Sequence, residues 1–453
     1  MNFKNISKSK LSLALISIVI TFFVWQQGLR DSLNRPSVSF DISQKEQEIT
    51  ELSVQSIPVN LKKFFIINDP VEQINKSLSE VSFDELTERN KLIRLISSEA
   101  NDPAIYKNIS KDFKNKNFKL LIYEIEKKSN NNSYKPNSDK FDLFKGDRFL
   151  YHLLSQKFDF DDSSLITKSF SNKMFLKILA IRIIPIVTIL LGSILALKIL
   201  WTTISLKKFG WQEIKSLDLE LIDMVLLIAG GFVVLGELVS PLFSISLVEL
   251  FSKNITYELS QSLKIFFGYL FMAIPPLGIV YYQIKSLNGE FTFKKDYLQF
   301  NFLPIKYVII QGIKGWLTIV PFVLLISLIM NSLVENQNGS NPLLEIVLNN
   351  NNYLSFFLLF VTTTLLAPLF EEIIFRGILL PTLSRDFGVI SGIIVSGFIF
   401  ALAHLSLGEM PPLFVLGIGL GITRIASGSL FSSVIMHSLW NGFTFLNLFL
   451  LRI

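Results

Sequence analysis

The sequence predicts an all-α polytopic membrane protein, with about eight to nine transmembrane helices and a small soluble α or α+β domain after the first of them. Three observations lead there. Half of the 453 residues are hydrophobic, mean hydropathy is +0.46 and only 18% are charged, against roughly 25% charged in an average soluble domain. Long apolar stretches recur along the second half of the chain, most of them near the ~17–25 residues that a spanning helix needs. Between the first stretch and the rest lies a polar, Lys- and Asn-rich region of different composition.

The elements follow in chain order. Lys4, Lys8 and Lys10 precede the apolar run "LSLALISIVITFFVW" at 11–25, and "QQGLRDS" follows it without a small-x-small cleavage pattern. Residues 1–30 therefore read as an uncleaved signal anchor. Residues 31–172 read as a small soluble domain. In it "DELTERNKLIRLISSEA" (84–100) has helical periodicity and "FKLLIYEIEKK" (118–128) suits strand or helix. His152, in "FLYHLLSQ", reads as a partly buried structural histidine. Further spans are expected near 178–201, 219–242, 264–284, 309–333, 353–382, 387–406, 411–427 and 430–451. Residues 173–345 form an accessory set and 346–453 a core. Prolines at 275–276 and 321 are expected to kink their helices, and Pro368 to break its own.

Loop charge sets the orientation. Lys207, Lys208 and Lys215 lie in one loop; Lys285, Lys294, Lys295 and Lys306 lie in another, two spans later. Residues 334–352 contain no Lys or Arg. The lysine loops are thus cytoplasmic and residues 31–172 extracytoplasmic, although Lys173, Lys177 and Arg182 crowd the outer end of a span. The net charge of +6 belongs to this bias, and no basic stripe interleaved with aromatics points to nucleic acid. The absence of cysteine excludes disulfides, thiolate nucleophiles and Cys-ligated zinc.

Chemistry concentrates in "LFEEIIFRGILL" (369–380). A charge at the bilayer centre costs roughly 2.5–3.5 kcal/mol even on mild scales, so three ionisable groups there need a reason. On a helical wheel Glu372 and Arg376 are i, i+4, about 40° apart, with the glutamate first, the better order for a pair. Glu371 lies about 140° from Arg376 and faces a polar cavity or another helix. His404, in "GFIFALAHLSL", comes one turn after Phe400, and "MHSLWNGF" puts His437 and Asn441 at i, i+4. A carboxylate, two imidazoles and a carboxamide supply a general base, proton shuttles and an oxyanion donor. That is an inventory for adding water to a carbonyl. Each group alone reads as structural; together, within residues 371–441, they read as catalytic. The rival is a non-proteolytic membrane scaffold or a transporter-like protein that keeps these polar groups, but the repeated broken helices of transporters are missing. Glu220 and Lys314 read as snorkelling at span ends, and Glu237, in "VVLGELVSP", is left for a cavity role.

"EEIIFRG" resembles the EExxxR motif of the CPBP intramembrane proteases, also called the Abi or type II CAAX protease family; "FALAH" is similar to its FxxxH motif and "HSLWN" to its HxxxN motif. The resemblance covers roughly residues 350–450. It implies an intramembrane endopeptidase acting on a peptide or membrane-protein substrate in the lipid bilayer. Glu371 would activate water with help from His404, His437 and Asn441 would position or stabilise the oxyanion, and Glu372 and Arg376 would hold the motif helix. The chain has no HExxH. Glu371, His404 and His437 could hold zinc with water in the fourth position, but a metal-free, glutamate-based mechanism is preferred, with no cofactor. Asn- and Lys-rich usage points to a bacterial inner membrane, of plasma or thylakoid type, where prenylated substrates are unexpected. Leader peptides, small membrane proteins and bacteriocin-like peptides are the candidates. The site is expected inside the bilayer, nearer the cytoplasm and open to it.

Overall fold

A computed structural model describes residues 7–34, 38–97, 113–131, 133–206, 210–216, 218–251, 255–288, 298–333, 342–348, 350 and 352–453. Lys4, Lys207, Lys208, Lys294, Lys295 and the 334–341 stretch of the Lys- and Arg-free loop lie outside these residues. The described residues are helical without strands. The helices are α1 (Lys8–Leu33), α2 (Val38–Ser53), α3 (Val59–Phe65), α4 (Pro70–Ser79), α5 (Glu88–Ser97), α6 (Lys116–Asn130), α7 (Arg148–Phe158) and α8 (Lys168–Leu206). They continue with α9 (Leu221–Phe251), α10 (Tyr257–Asn288), α11 (Ile305–Leu333), α12 (Pro342–Leu348), α13 (Tyr353–Phe387), α14 (Val389–Leu402), α15 (Met410–Ser427) and α16 (Leu430–Leu450). Among the described residues seven, α1, α8, α9, α10, α11, α13 and α15, are long and apolar enough to cross a membrane, and α14 is a shorter apolar helix. The chain is an all-α polytopic membrane protein.

It divides into two compact units. One comprises Ser39–Ile184 and Leu450–Ile453. Segment 118–128, open between strand and helix on periodicity, is helical within α6. In this unit the fully buried Glu48 takes both ends of the Arg89 guanidinium at 2.6 and 2.9 Å, while Asp147 takes Arg89 Nε at 2.5 Å and caps α7. Burial disfavours the Arg89 cation, but the two carboxylates outweigh it and hold its pKa above the usual arginine value. His152 is buried as expected, with Nδ1 2.5 Å from Asp162 and Nε2 3.4 Å from Glu51.

The other unit comprises Met1–Val38 and Pro185–Phe449. Polar contacts tie it at two ends. At the first, Lys10 pairs with Asp223 at 2.8 Å and Arg385 Nη2 donates to Leu219 O at 2.6 Å. There too the Gln212 amide donates to Ile425 O, Arg424 Nη2 to Gln299 Oε1, and the Leu430 amide to Gln299 O. At the second end the Leu407 amide donates to Ser32 Oγ, Asn352 Nδ2 to Thr256 Oγ1 and Ser355 Oγ to Glu258 O. A buried core between them includes Phe232, Val280, Ile374, Phe375, Phe400, Leu416 and Met436.

Pro368 does not break its helix. Three stretches widen to π geometry instead: Leu226–Val239 in α9, and Thr362–Leu366 and Ile373–Leu379 in α13. Each ends two residues before a proline, Pro241, Pro368 and Pro381. Proline offers no N–H and its ring clashes with the carbonyl four residues back; an i→i+5 turn moves that carbonyl aside. Thr362, Thr363 and Thr364 assist by returning their hydroxyls to the carbonyls of Leu358, Leu359 and Phe360. Gly388, at φ +87°, turns the chain from α13 into α14, a conformation that suits a residue without Cβ. The α14–α15 hairpin is closed by Gly397 against Gly417, where a Cβ on either would sit about 3 Å from the other's backbone. That hairpin is shorter than expected: α14 ends at Leu402, so His404 stands in the turn beyond it rather than inside a span.

Candidate active site

The motif segment Ala367–Glu372 is ordinary α-helix held between the two wide turns of α13. Its two glutamates point to different surroundings, as adjacent helical positions about 100° apart must. Glu372 faces inward. Its Oε1 accepts from Arg376 Nη1 at 3.0 Å and from His437 Nδ1 at 2.9 Å, and both Glu372 and Arg376 have no exposed surface. The Arg376 guanidinium also donates to Gly417 O at 3.0 Å and lies 4.3 Å above the Phe400 ring. The predicted i, i+4 pair is present and fully buried.

Phe400 organises the rest. Its ring meets His404 edge-on at 4.7 Å and His437 at 5.6 Å between centroids. One aromatic side chain thus carries the cation on its electron-rich face and sets the tilt of both imidazoles. His404 Nδ1 lies 2.8 Å from Phe400 O. A carbonyl only accepts, so Nδ1 carries the hydrogen and Nε2 is left as the basic nitrogen of the neutral ring. The same reasoning applies to His437: Nδ1–H donates to Glu372, and Nε2 faces Glu371 Oε2 at 3.8 Å, too long for a direct hydrogen bond.

Glu371 is 8% exposed, and its Oε2 has no hydrogen-bond partner. Together with His404 it lines a cavity of about 550 Å³, whose wall also includes Glu237, Gln261, Lys264 and Tyr269. Of the six predicted residues, the structure therefore brings Glu371 and His404 to one cavity and packs Glu372, Arg376 and His437 behind them. The cavity wall draws on the parts of α9 and α10 nearer the second end of the unit, among them Ser244, Ile245, Gln261 and Lys264.

Asn441 is placed differently. In the wide turn the Ala367 amide bonds Thr362 O, so the next carbonyl, Thr363 O, would pair with residue 368, a proline without N–H. Asn441 Nδ2 donates to that carbonyl at 2.9 Å. Asn441 thus satisfies the group that Pro368 orphans and pins α16 to the motif helix.

Glu371, His404 and His437 are not arranged as a metal site. Among the described residues no three His, Asp or Glu side chains are placed to hold an ion.

Residues 353–443 match the type II CAAX prenyl endopeptidase, Rce1-like family. This segment is similar to an Rce1-like domain. All six motif residues fall inside it, and the match supports a CAAX-type intramembrane protease in general. Residues 39–176 match a domain of unknown function, DUF8675. No curated protein and no solved structure matches the chain. The polar or ionisable cavity residues Glu237 on α9, and Gln261, Lys264 and Tyr269 on α10, lie outside the matched segment. Glu237 is legible in the sequence as a glutamate within a span. Tyr269, Gln261 and Lys264 carried no local signal, since they adjoin the motif helix only through the packing of α10.

Proposed function

We propose that the chain is an intramembrane endopeptidase in which Glu371 is the general base. The observation that carries this reading is that the Glu371 carboxylate, with an unpartnered buried oxygen, and the imidazole of His404 open on one cavity. Glu371 takes a proton from water; the hydroxide adds to the scissile carbonyl carbon; the proton then passes to the leaving amine as the C–N bond breaks. His404 Nε2, free because Nδ1 is held by Phe400 O, orients the water and, on taking that proton from Glu371, donates to the oxyanion before the proton passes to the leaving amine. The Tyr269 hydroxyl is the second donor on the cavity wall.

His437 and Asn441 act as positioning residues. The His437 Nδ1–H is held by Glu372 and the Asn441 amide by Thr363 O, so both are spent on holding the motif helix. The domain fits a peptide substrate in a lipid bilayer, with leader peptides and small membrane proteins the substrates we favour. The test is purified protein in nanodiscs with a quenched fluorogenic peptide pool. Glu371→Gln should lose at least ~10³-fold in kcat, and His404→Ala ~10²–10⁴-fold, the range for a general acid–base group, with wild-type thermal unfolding. Turnover by Glu371→Gln at the wild-type rate would refute the assignment.

A further inference from the structure

We propose that the cavity takes its substrate from the extracytoplasmic face of the membrane: a polypeptide segment already translocated, not a cytosolic tail. The proposal rests on the protease reading above and adds the side from which that site is served.

The first end of the membrane unit gathers residues 210–219, 298–301 and 424–430, joined by the hydrogen bonds of Gln212, Gln299 and Arg424. Its connecting segments hold Lys207, Lys208, Lys215, Lys294, Lys295 and Lys306 in sequence. The second end gathers residues 256–258, 352–355 and 407. In sequence, segments 334–352 and 403–409 contain no Lys or Arg, and the connection 252–256 contains Lys253 alone. Basic residues stay on the cytoplasmic side of short connections, so the first end is cytoplasmic and the second extracytoplasmic.

The cavity lies between the bilayer interior and the second end. Lys264 is seven residues from the start of α10 at Tyr257, about 10 Å along the axis, and more than 20 residues from its other end. Ser244 and Ile245, on the same cavity wall, are six or seven residues from the end of α9 at Phe251. His404 stands in the turn that joins α14 to α15 at that end. Gln261, Lys264 and Ser244 make this part of the wall polar, with donors suited to the backbone carbonyls of an extended chain.

The opposite route is closed. Between Glu371 and the cytoplasmic end of α13 lie 16 residues, about 24 Å of helix. Along it Ile374, Phe375, Ile378, Leu379, Leu380 and Leu383 are all buried. Phe375 packs on Phe232 at 5.6 Å and on Phe400 at 5.5 Å, an aromatic plug beneath the carboxylate. A cytosolic peptide would have to unpack that core to reach Glu371.

The chain has no cysteine, so single-cysteine variants report accessibility without background. Lys264→Cys (with Gln261→Cys should the first fail to accumulate) marks the cavity; the exposed Gln212→Cys marks the lysine-loop end. A charged, membrane-impermeant maleimide is added to right-side-out spheroplasts and to inverted vesicles of cells producing the full chain. The expected result is labelling of Lys264→Cys in spheroplasts only and of Gln212→Cys in inverted vesicles only. A peptide pool added to spheroplasts should be cleaved, with cleavage lost on inversion and restored by detergent. Labelling of the cavity cysteine from the inverted face, or from neither face, would overturn the proposal. Labelling is read without turnover, so outward labelling of an inert protein would refute the protease reading and leave the access route standing.

Discussion

Arg376→Met replaces a cation that makes three contacts inside the unit: Glu372 Oε1 at 3.0 Å, Gly417 O at 3.0 Å and the Phe400 ring at 4.3 Å. The substitution keeps bulk and removes the charge. It leaves the Glu372 carboxylate buried with His437 Nδ1–H and the Ser433 hydroxyl as its remaining donors. Removing one partner of a buried pair costs ~3–5 kcal/mol, and the orphaned Gly417 carbonyl adds ~1–3 kcal/mol. Retention of the His437 bond offsets part of this, so we expect ~3–5 kcal/mol in all, two to three powers of ten or more in the folded-to-unfolded ratio. The assay is reversible unfolding in mixed detergent micelles. The double variant Glu372→Gln with Arg376→Met removes both charges and keeps an acceptor for His437. It should be ~1–3 kcal/mol more stable than the single variant, a coupling of the size seen between contacting residues. Arg376→Lys should fall between, because one ammonium cannot serve Glu372 and Gly417 O in the fork geometry of a guanidinium. Wild-type stability of Arg376→Met, or a double variant less stable than the single, would refute the account of the pair.

Asn441→Ala should cost ~1–3 kcal/mol for the unsatisfied Thr363 carbonyl and lower kcat more than it raises KM; Asn441→Asp, which cannot donate there, should not rescue it. Dialysis against phenanthroline should leave turnover intact, and loss restored by zinc would reassign Glu371, His404 and His437 as ligands. In the unit of Ser39–Ile184, burial disfavours the His152 cation, but Glu51 and Asp162 outweigh burial and raise its pKa above 6.5. A raised folded pKa gives stability that is complete below the unfolded value and lost as pH rises through the folded one. Hydrogen exchange of α7 amides in the full chain, corrected for intrinsic rate, should therefore show more protection at about pH 5.5 than at about pH 8.5, and His152→Gln should abolish the difference.

The Glu372–Arg376 pair was legible because i, i+4 neighbours on a helix meet whatever surrounds them, and the pair persists where the helix widens at Ile373. Its complement, an outward Glu371, followed from the same wheel. Asn441 was legible as polar on the face of His437, but its partner was not: Thr363 O is orphaned only because the chain takes π geometry ahead of Pro368. His404 was expected within a span and stands in a turn, since the close Gly397–Gly417 approach and the turn after Leu402 end α14 early.

Sequence by itself determined the membrane class, the order of the spans, the residue types that move protons and the family that the last hundred residues resemble. These are local properties: apolar length, loop charge and spacing on one helix. Tertiary structure alone decided which groups share a cavity. Tyr269, Gln261 and Lys264 line one cavity with Glu371 from a helix a hundred residues earlier, and Phe400 sets both imidazoles by packing. The cavity's direction was likewise beyond a helical wheel, because a void is defined by the side chains that fail to fill it, and those come from helices whose contacts no periodicity records.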